Sequence, residues 1–268
     1  MTRSGRLAAL VGLRSGWRAA VWACLLPAVL AQAGCATAER PDPLEPLNRK
    51  IFAFNDAVDS AVLKPVATAY QNNVPELART AVTNFFGNLG DGWSAVNLFL
   101  QGRVIDGMNE TMRVLTNSLF GVFGLADVAT PLGMERKNQD FGLTLGRWGV
   151  PSGAYLMLPL LGPSTLRDSV GLPAEFQFSP ERHFDMADPA KYSLTGLKVV
   201  NTRANLLGAT KLLDDVAVDK YAFLRNAYLQ RRRSQVNAGG AEAEAGTDAP
   251  PKEERFDLPE ETPATEKK

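Results

Sequence analysis

Apolar residues along this chain recur at three- and four-residue intervals between glycine and proline punctuation, while runs alternating at every second residue are almost absent. The pattern predicts an all-α protein. A first helix is expected from about Pro43 to Val62, stopped before Pro65. At about 100° per residue, Ile51, Phe54, Val58 and Val62 fall within an arc of about 80°. Arg49, Asp56 and Ser60 lie roughly opposite. Asn48, Asn55 and Asp59 instead form a narrow polar stripe beside the apolar arc, with Phe52 on its far side.

The stripe recurs. Asn84 and Asn88 are four apart amid Val82, Phe85, Phe86 and Leu89, in the segment after Pro75. From Arg103 to Phe120, Met108, Met112, Leu115 and Leu119 share one side, and Asp106, Asn109, Arg113 and Asn117 an adjacent one. Asn201 and Asn205 repeat the step around Arg203. Two readings stay open: such helices face lipid on one side and a polar channel on the other, or the amides tie neighbouring elements together inside a core.

Gly121 to Gly133 and Gly142 to Pro163 read as loops, the second carrying Trp148, Tyr155 and several aliphatic residues. Asp188 as N-cap with Pro189 after it opens a helix to about Leu213. Another starts near Asp219 and ends in Arg231, Arg232 and Arg233. That triplet suits a helix C-terminus, anionic lipid or plain solvation, and solvation is the simplest expectation.

The N-terminal pattern is of another kind. Four arginines and no acidic residue precede an apolar run from Ala19 to Ala31, then Ala33, Gly34 and Cys35. A run this short, against the roughly 20 residues needed to span a bilayer, is an export signal. Residues 1–34 are therefore expected to be removed and Cys35 to carry acyl chains, palmitate among them, although Gln32 stands where an aliphatic residue usually precedes the cysteine. The other cysteine, Cys24, leaves with the signal, so no intramolecular disulfide is expected. Ala36, where an inner-membrane lipoprotein often carries Asp, leans toward the outer membrane. Residues 35–42 form a lipidated tether, 43–235 the helical domain, and 236–268, with Phe256 and Leu258 as its sizeable apolar groups, a disordered acidic tail.

Outside the leader and tail, charge is nearly balanced at 21 basic against 20 acidic residues, which gives no footprint for nucleic acid. No apolar run after Cys35 reaches the length of a spanning helix, so the body is expected to lie within one leaflet or at its surface. Signs of catalysis are missing too. His183 is the single histidine, beside Arg182 and Phe184 in an expected loop, and Ser164 lacks the strand-turn-helix elbow of a serine hydrolase. Neither a cofactor nor a metal is expected, and the chain reads as a non-enzyme.

Ordered motifs add a resemblance. Asp42-Pro43-Leu44-Glu45, Asn48-Arg49, Phe52-Ala53-Phe54-Asn55, Lys64-Pro65-Val66-Ala67 and Val74-Pro75 are followed by Leu100-Gln101-Gly102 and Phe141-Gly142-Leu143-Thr144-Leu145-Gly146. Leu166-Arg167-Asp168, Thr202-Arg203-Ala204 and Ala227-Tyr228-Leu229-Gln230-Arg231 close the series. Over about Asp42 to Arg233 the chain resembles the MlaA (VacJ) lipoproteins. The resemblance implies a ring of amphipathic helices embedded in the inner leaflet of the outer membrane, with a central polar channel. It also implies removal of mislocalised phospholipids from the outer leaflet, a periplasmic phospholipid carrier that receives them, an ATP-driven inner-membrane complex beyond, and a trimeric porin as companion.

Asn48, Asn55, Asp59, Arg167, Asp168, Arg203 and Asn205 become candidate headgroup or channel contacts, as polar groups in apolar helical context or within matching motifs. Gly142, Gly146 and Gly149 suit a flexible gate, though loop geometry explains them equally. A structural lipoprotein that scaffolds a porin-containing complex without moving lipid, and a periplasmic carrier that sequesters lipid in a closed cavity, are the competing expectations.

Overall fold

The computed structural model describes residues 42–248, with side chains to residue 238. The expectations for the signal sequence, Cys35 and the tether up to residue 41 lie outside the described residues. Helix α1 (Glu45–Val58) leads through a π-turn (Asp59–Leu63) into α2 (Lys64–Asn73). Two long helices follow, α3 (Glu76–Leu100) and α4 (Val104–Leu119), packed against each other across a turn in which Gly102 takes a φ of +75°. After a 3₁₀ turn at Thr130–Leu132 come α5 (Phe141–Arg147), strands β1 (Tyr155–Leu158) and β2 (Gly162–Thr165), and α6 (Leu166–Phe178). A second 3₁₀ turn, Pro180–His183, precedes α7 (Asp188–Val216) and α8 (Lys220–Asp248).

The mostly helical architecture agrees with the sequence pattern, but several boundaries do not. Pro65 fails to stop the first helix. The π-turn routes the Lys64 N–H to the Asp59 carbonyl, five residues back, and this wider turn takes in a proline that has neither an N–H nor room for an ordinary turn before it. Helix α7 opens on Asp188 itself, with Ala187 in the cap position and no side-chain cap, because alanine has no side-chain acceptor; Pro189 in the first turn has no N–H that would need one. Helix α8 runs to Asp248, beyond the helix end expected at the arginine triplet.

The stretch read as a loop from Gly142 to Pro163 holds α5 and an antiparallel hairpin, in register Tyr155↔Thr165 to Leu158↔Gly162. Asp140 caps α5 by accepting from the Leu143 N–H at 2.8 Å, and Thr165 caps α6 by accepting from the Asp168 N–H. The hairpin is too short to show a period-2 pattern. Its inner face, Tyr155 and Met157, joins Tyr221 and Leu229 of α8 in a small apolar core, with Ile51 and Phe52 of α1 against it.

Elsewhere the chain is inside out. Among the described residues, fully buried positions with polar or charged side chains outnumber apolar ones. On α4 the apolar side found in the sequence points outward: Ile105, Met108, Met112 and Leu119 are all more than half exposed, while Glu110, Arg113 and Asn117 are buried against α3 and the loop after α4. Helix α7 likewise exposes Tyr192, Leu206, Leu212 and Val216 and buries Asn201. Large exposed apolar faces over a polar interior reverse the arrangement of a domain surrounded by water. Among the described residues no helix is long and apolar enough to cross a membrane.

Candidate functional site

The polar interior divides into four clusters, and the expected site residues belong to three of them. Asn48 and Asn55, two turns apart on α1, face the hairpin. The Asn48 amide donates to the Tyr155 carbonyl at 3.0 Å and accepts from the Met157 N–H at 2.9 Å. Asn55 donates to the Leu158 carbonyl at 2.9 Å and accepts from the Leu160 N–H at 2.8 Å. Each side-chain amide acts as one peptide unit of a missing third strand, and Asn55 ties down the N–H of Leu160, which sits in the left-handed region at φ +62°. The structure thus places both on protein backbone at the edge of β1.

Arg203 reaches Asp59, in the π-turn after α1, while Asn205 points from another side of α7 toward α3. The Arg203 guanidinium grips the Asp59 carboxylate as a fork, at 2.6 and 2.7 Å, and its pKa is raised by those hydrogen bonds. Asn205 donates to the Thr83 hydroxyl at 3.0 Å, and Asn201 donates to the same oxygen at 2.9 Å while accepting from Tyr70. These contacts tie α7 to α1, α2 and α3.

Arg167 and Asp168 belong to the third cluster, in which Asp168 lines a cavity of about 410 Å³ and Arg167 stands behind it. Asp168 is its hub. One carboxylate oxygen accepts from Arg167 at 2.9 Å, the other from Tyr228 at 2.8 Å and Arg232 at 2.9 Å. Arg232 also grips Asp140. Burial opposes ionisation of Asp168, but Arg232 and Arg167 hold its pKa below the usual carboxylate range. Arg232 is a residue that sequence reasoning missed: of the arginine triplet expected to be solvated, the structure buries it and leaves Arg231 and Arg233 exposed.

The three expected gate glycines are placed differently. A Cβ on Gly142 would stand 2.5 Å from an Asp168 carboxylate oxygen, and one on Gly146 would stand 2.6 Å from the Arg167 guanidinium. Both sit inside α5, where close packing accounts for them. Gly149 has open space around it and a φ of +90° in the turn after α5.

The fourth cluster has no counterpart among the expected site residues. Arg113, wholly buried, donates from Nε to Asp91 at 3.3 Å and from one terminal nitrogen to both Asp127 oxygens at 3.4 Å. Arg136 pairs with Asp91 at 2.8 Å. Glu110 accepts the Lys137 N–H and stands 3.8 Å from Arg113. The signal lay in the polar side of α4, in Arg113 and Asn117 four residues apart.

Burial, reinforced by the Asp91 charge, pushes Glu110 up to about 7. With the folded value above the ordinary one, the stabilising contribution is fully present below the unfolded pKa and is lost as pH rises through about 7. Between pH 5 and 8 the unfolding temperature of the wild-type protein is therefore expected to fall. Glu110→Gln should flatten this fall in circular dichroism melts, and an unchanged slope would mean that Glu110 is solvated.

Comparison with known proteins places these observations in context. Residues 40–235 match the family model described as MlaA lipoprotein. The chain is 37% identical over 215 residues to the intermembrane phospholipid transport system lipoprotein MlaA of Escherichia coli K12, covering 77% of this chain and 84% of that protein. It is 30% identical over 224 residues to the protein of the same description from Haemophilus influenzae, covering 80% and 89%. An uncharacterised protein of Rickettsia bellii is 34% identical over 196 residues, covering 73% and 76%. A solved structure reported for the structural basis of maintenance of bacterial outer membrane lipid asymmetry aligns with a TM-score of 0.63 at 37% identity, covering 74% of this chain and all of its own.

Proposed function

Because the chain belongs to the MlaA lipoprotein family, we propose that it takes mislocalised phospholipids from the outer leaflet of a bacterial outer membrane and passes them to a periplasmic carrier, maintaining lipid asymmetry. The observation that carries this reading is the reversal of polarity: apolar faces of α4 and α7 point outward, while charged groups line a cavity that opens to the surface. Outward apolar faces without a spanning helix suit a body lying in one leaflet, held there by acyl chains on Cys35.

The mechanism is passive. Moving a charged headgroup through hydrocarbon carries a desolvation penalty of several kcal/mol or more, and a polar path through the protein reduces it. Direction comes from the carrier that removes the lipid, not from this chain. Asp168, held by Arg167 from behind, forms one wall of the path, and Asn48 and Asn55 hold the hairpin whose Leu158 and Leu161 form another. Asp59, Arg203 and Asn205 lock α7 against the first three helices and keep the body in shape. A trimeric porin fits as the outer-membrane companion.

The test is the amount of phospholipid in the outer leaflet of a strain lacking the protein, read by a surface-accessible tagging assay. Wild-type and Cys35→Ala copies are then restored in turn. Phospholipid is expected to rise on deletion and to fall with the wild-type copy alone. If it stays constant while assembly of envelope proteins suffers, the protein is a scaffold and transport is refuted.

A further inference from the structure

We propose, resting on the transport reading above, that this half-open cavity selects aminophospholipids, with the Glu175 carboxylate receiving the primary ammonium of the headgroup. The cavity is lined by residues of α3, α6, α8, the hairpin and the segment that leads into α5, among them three carboxylates, Asp140, Asp168 and Glu175. Two of these have cations of their own: Arg232 grips Asp140, and Arg167 with Arg232 grips Asp168. Glu175 has none among the described residues. Its one hydrogen bond is from the Phe141 N–H at 3.1 Å. Burial and the neighbouring Asp140 charge push it up to about 7, with Arg232 opposing them only in part, and a cation placed beside it would favour the ionised form.

Two further residues that line the cavity carry atoms without partners. The Gln235 side-chain oxygen and the Trp93 indole N–H are buried and make no hydrogen bond. Buried polar atoms of this kind are normally satisfied, and a turn of either side chain toward the cavity would let a ligand satisfy them. The two atoms are complementary to a zwitterion. An ammonium has three donors, for which Glu175 and Gln235 supply acceptors, while a phosphate takes donors from Trp93 and from Arg231, which stands exposed at the rim without an ion pair among the described residues. Leu158, Leu161 and Leu172 give the glycerol end an apolar surface, and about 410 Å³ is a volume in the range of small-molecule sites. A headgroup without an ammonium leaves Glu175 as it is, and a trimethylated one fills the space without donating.

The full lipidated protein is purified in detergent and offered equimolar phosphatidylethanolamine and phosphatidylglycerol in mixed micelles. Bound lipid is extracted and resolved by mass spectrometry. Wild-type protein is expected to hold about tenfold more phosphatidylethanolamine than phosphatidylglycerol, the size of a charged hydrogen bond. Glu175→Gln, which keeps an acceptor for Phe141, should bring the ratio near one through loss of phosphatidylethanolamine, and Glu175→Asp should retain part of the preference. Phosphatidylcholine offered to wild-type protein tests the point without a substitution and is expected to bind no better than phosphatidylglycerol. Equal binding by wild-type protein, a preference that survives Glu175→Gln, or phosphatidylcholine binding as well as phosphatidylethanolamine overturns the proposal. Total bound phosphate reports on the transport reading separately: folded wild-type protein that holds no phospholipid sinks both.

Discussion

Arg113→Met is expected to destabilise the fold by about 3–5 kcal/mol, the range for breaking a buried ion pair from one side. The guanidinium is fully buried and is shared by Asp91, Asp127, the Thr130 hydroxyl and the Met134 carbonyl. Methionine fills much of the same volume, so the dominant loss is electrostatic. Asp91 would retain only Arg136, and Glu110, already raised by burial and by Asp91, would lose its nearest guanidinium. For a chain of this size the change corresponds to a fall of roughly 10 °C or more in Tm, measured by circular dichroism in detergent. Arg113→Lys should recover a part, since an ammonium restores charge but not the fork that reaches Asp91 and Asp127 together. A loss below about 1 kcal/mol would mean that water compensates the carboxylates and that the cluster is not a closed interior.

Asp168→Ala is expected to be the next most damaging change, at about 3 kcal/mol or more, because it leaves two buried guanidiniums without their shared anion. Arg167 and Arg232 both converge on this carboxylate, and Tyr228 donates to it from the cavity side. Burial opposes the charge of Asp168, but its cations outweigh that cost and keep the pKa below the ordinary range. The stabilisation it supplies is therefore present above the unfolded pKa and is lost as pH falls through the lower, folded value. At neutral pH the full effect of the substitution should be visible in urea unfolding. Asp168→Asn, which keeps shape and one acceptor, should fall between alanine and wild type. Equal stability of all three proteins at pH 7 would show that Arg232 is held by Asp140 alone.

Several of these features were legible in the chain before folding was considered. The period of the apolar positions predicted helices, and the polar stripes on α1, α4 and α7 contain Asn48, Arg113 and Asn201, all of them buried. The stripe said that one side of each helix differs from the other, which is all that a 3.6-residue period can say. On α4 the expected apolar side turned outward, because a helical pattern records an asymmetry and not which side meets protein. In the arginine triplet, only the rotational phase of α8 against α5 and α6 selects Arg232 for burial over its two neighbours, and no local property of Arg231, Arg232 or Arg233 distinguishes them.

The hairpin is the plainest example of a tertiary decision. Four-residue strands, one of them Gly162-Pro163-Ser164-Thr165, carry too little pattern to be recognised, and two strands alone are marginal in water. They are ordered where Asn48 and Asn55 bond their backbone from more than a hundred residues away and where Tyr221 and Leu229 cover their inner face. Family, helical class and the presence of polar stripes were thus determined by the sequence alone, since each rests on residue identity and spacing. The partners of the stripes, the outward turn of the apolar faces and the unpaired Glu175 in its cavity were decided by the tertiary structure. Charges and hydrogen bonds act over a few ångströms, and only the folded chain fixes which groups come that close.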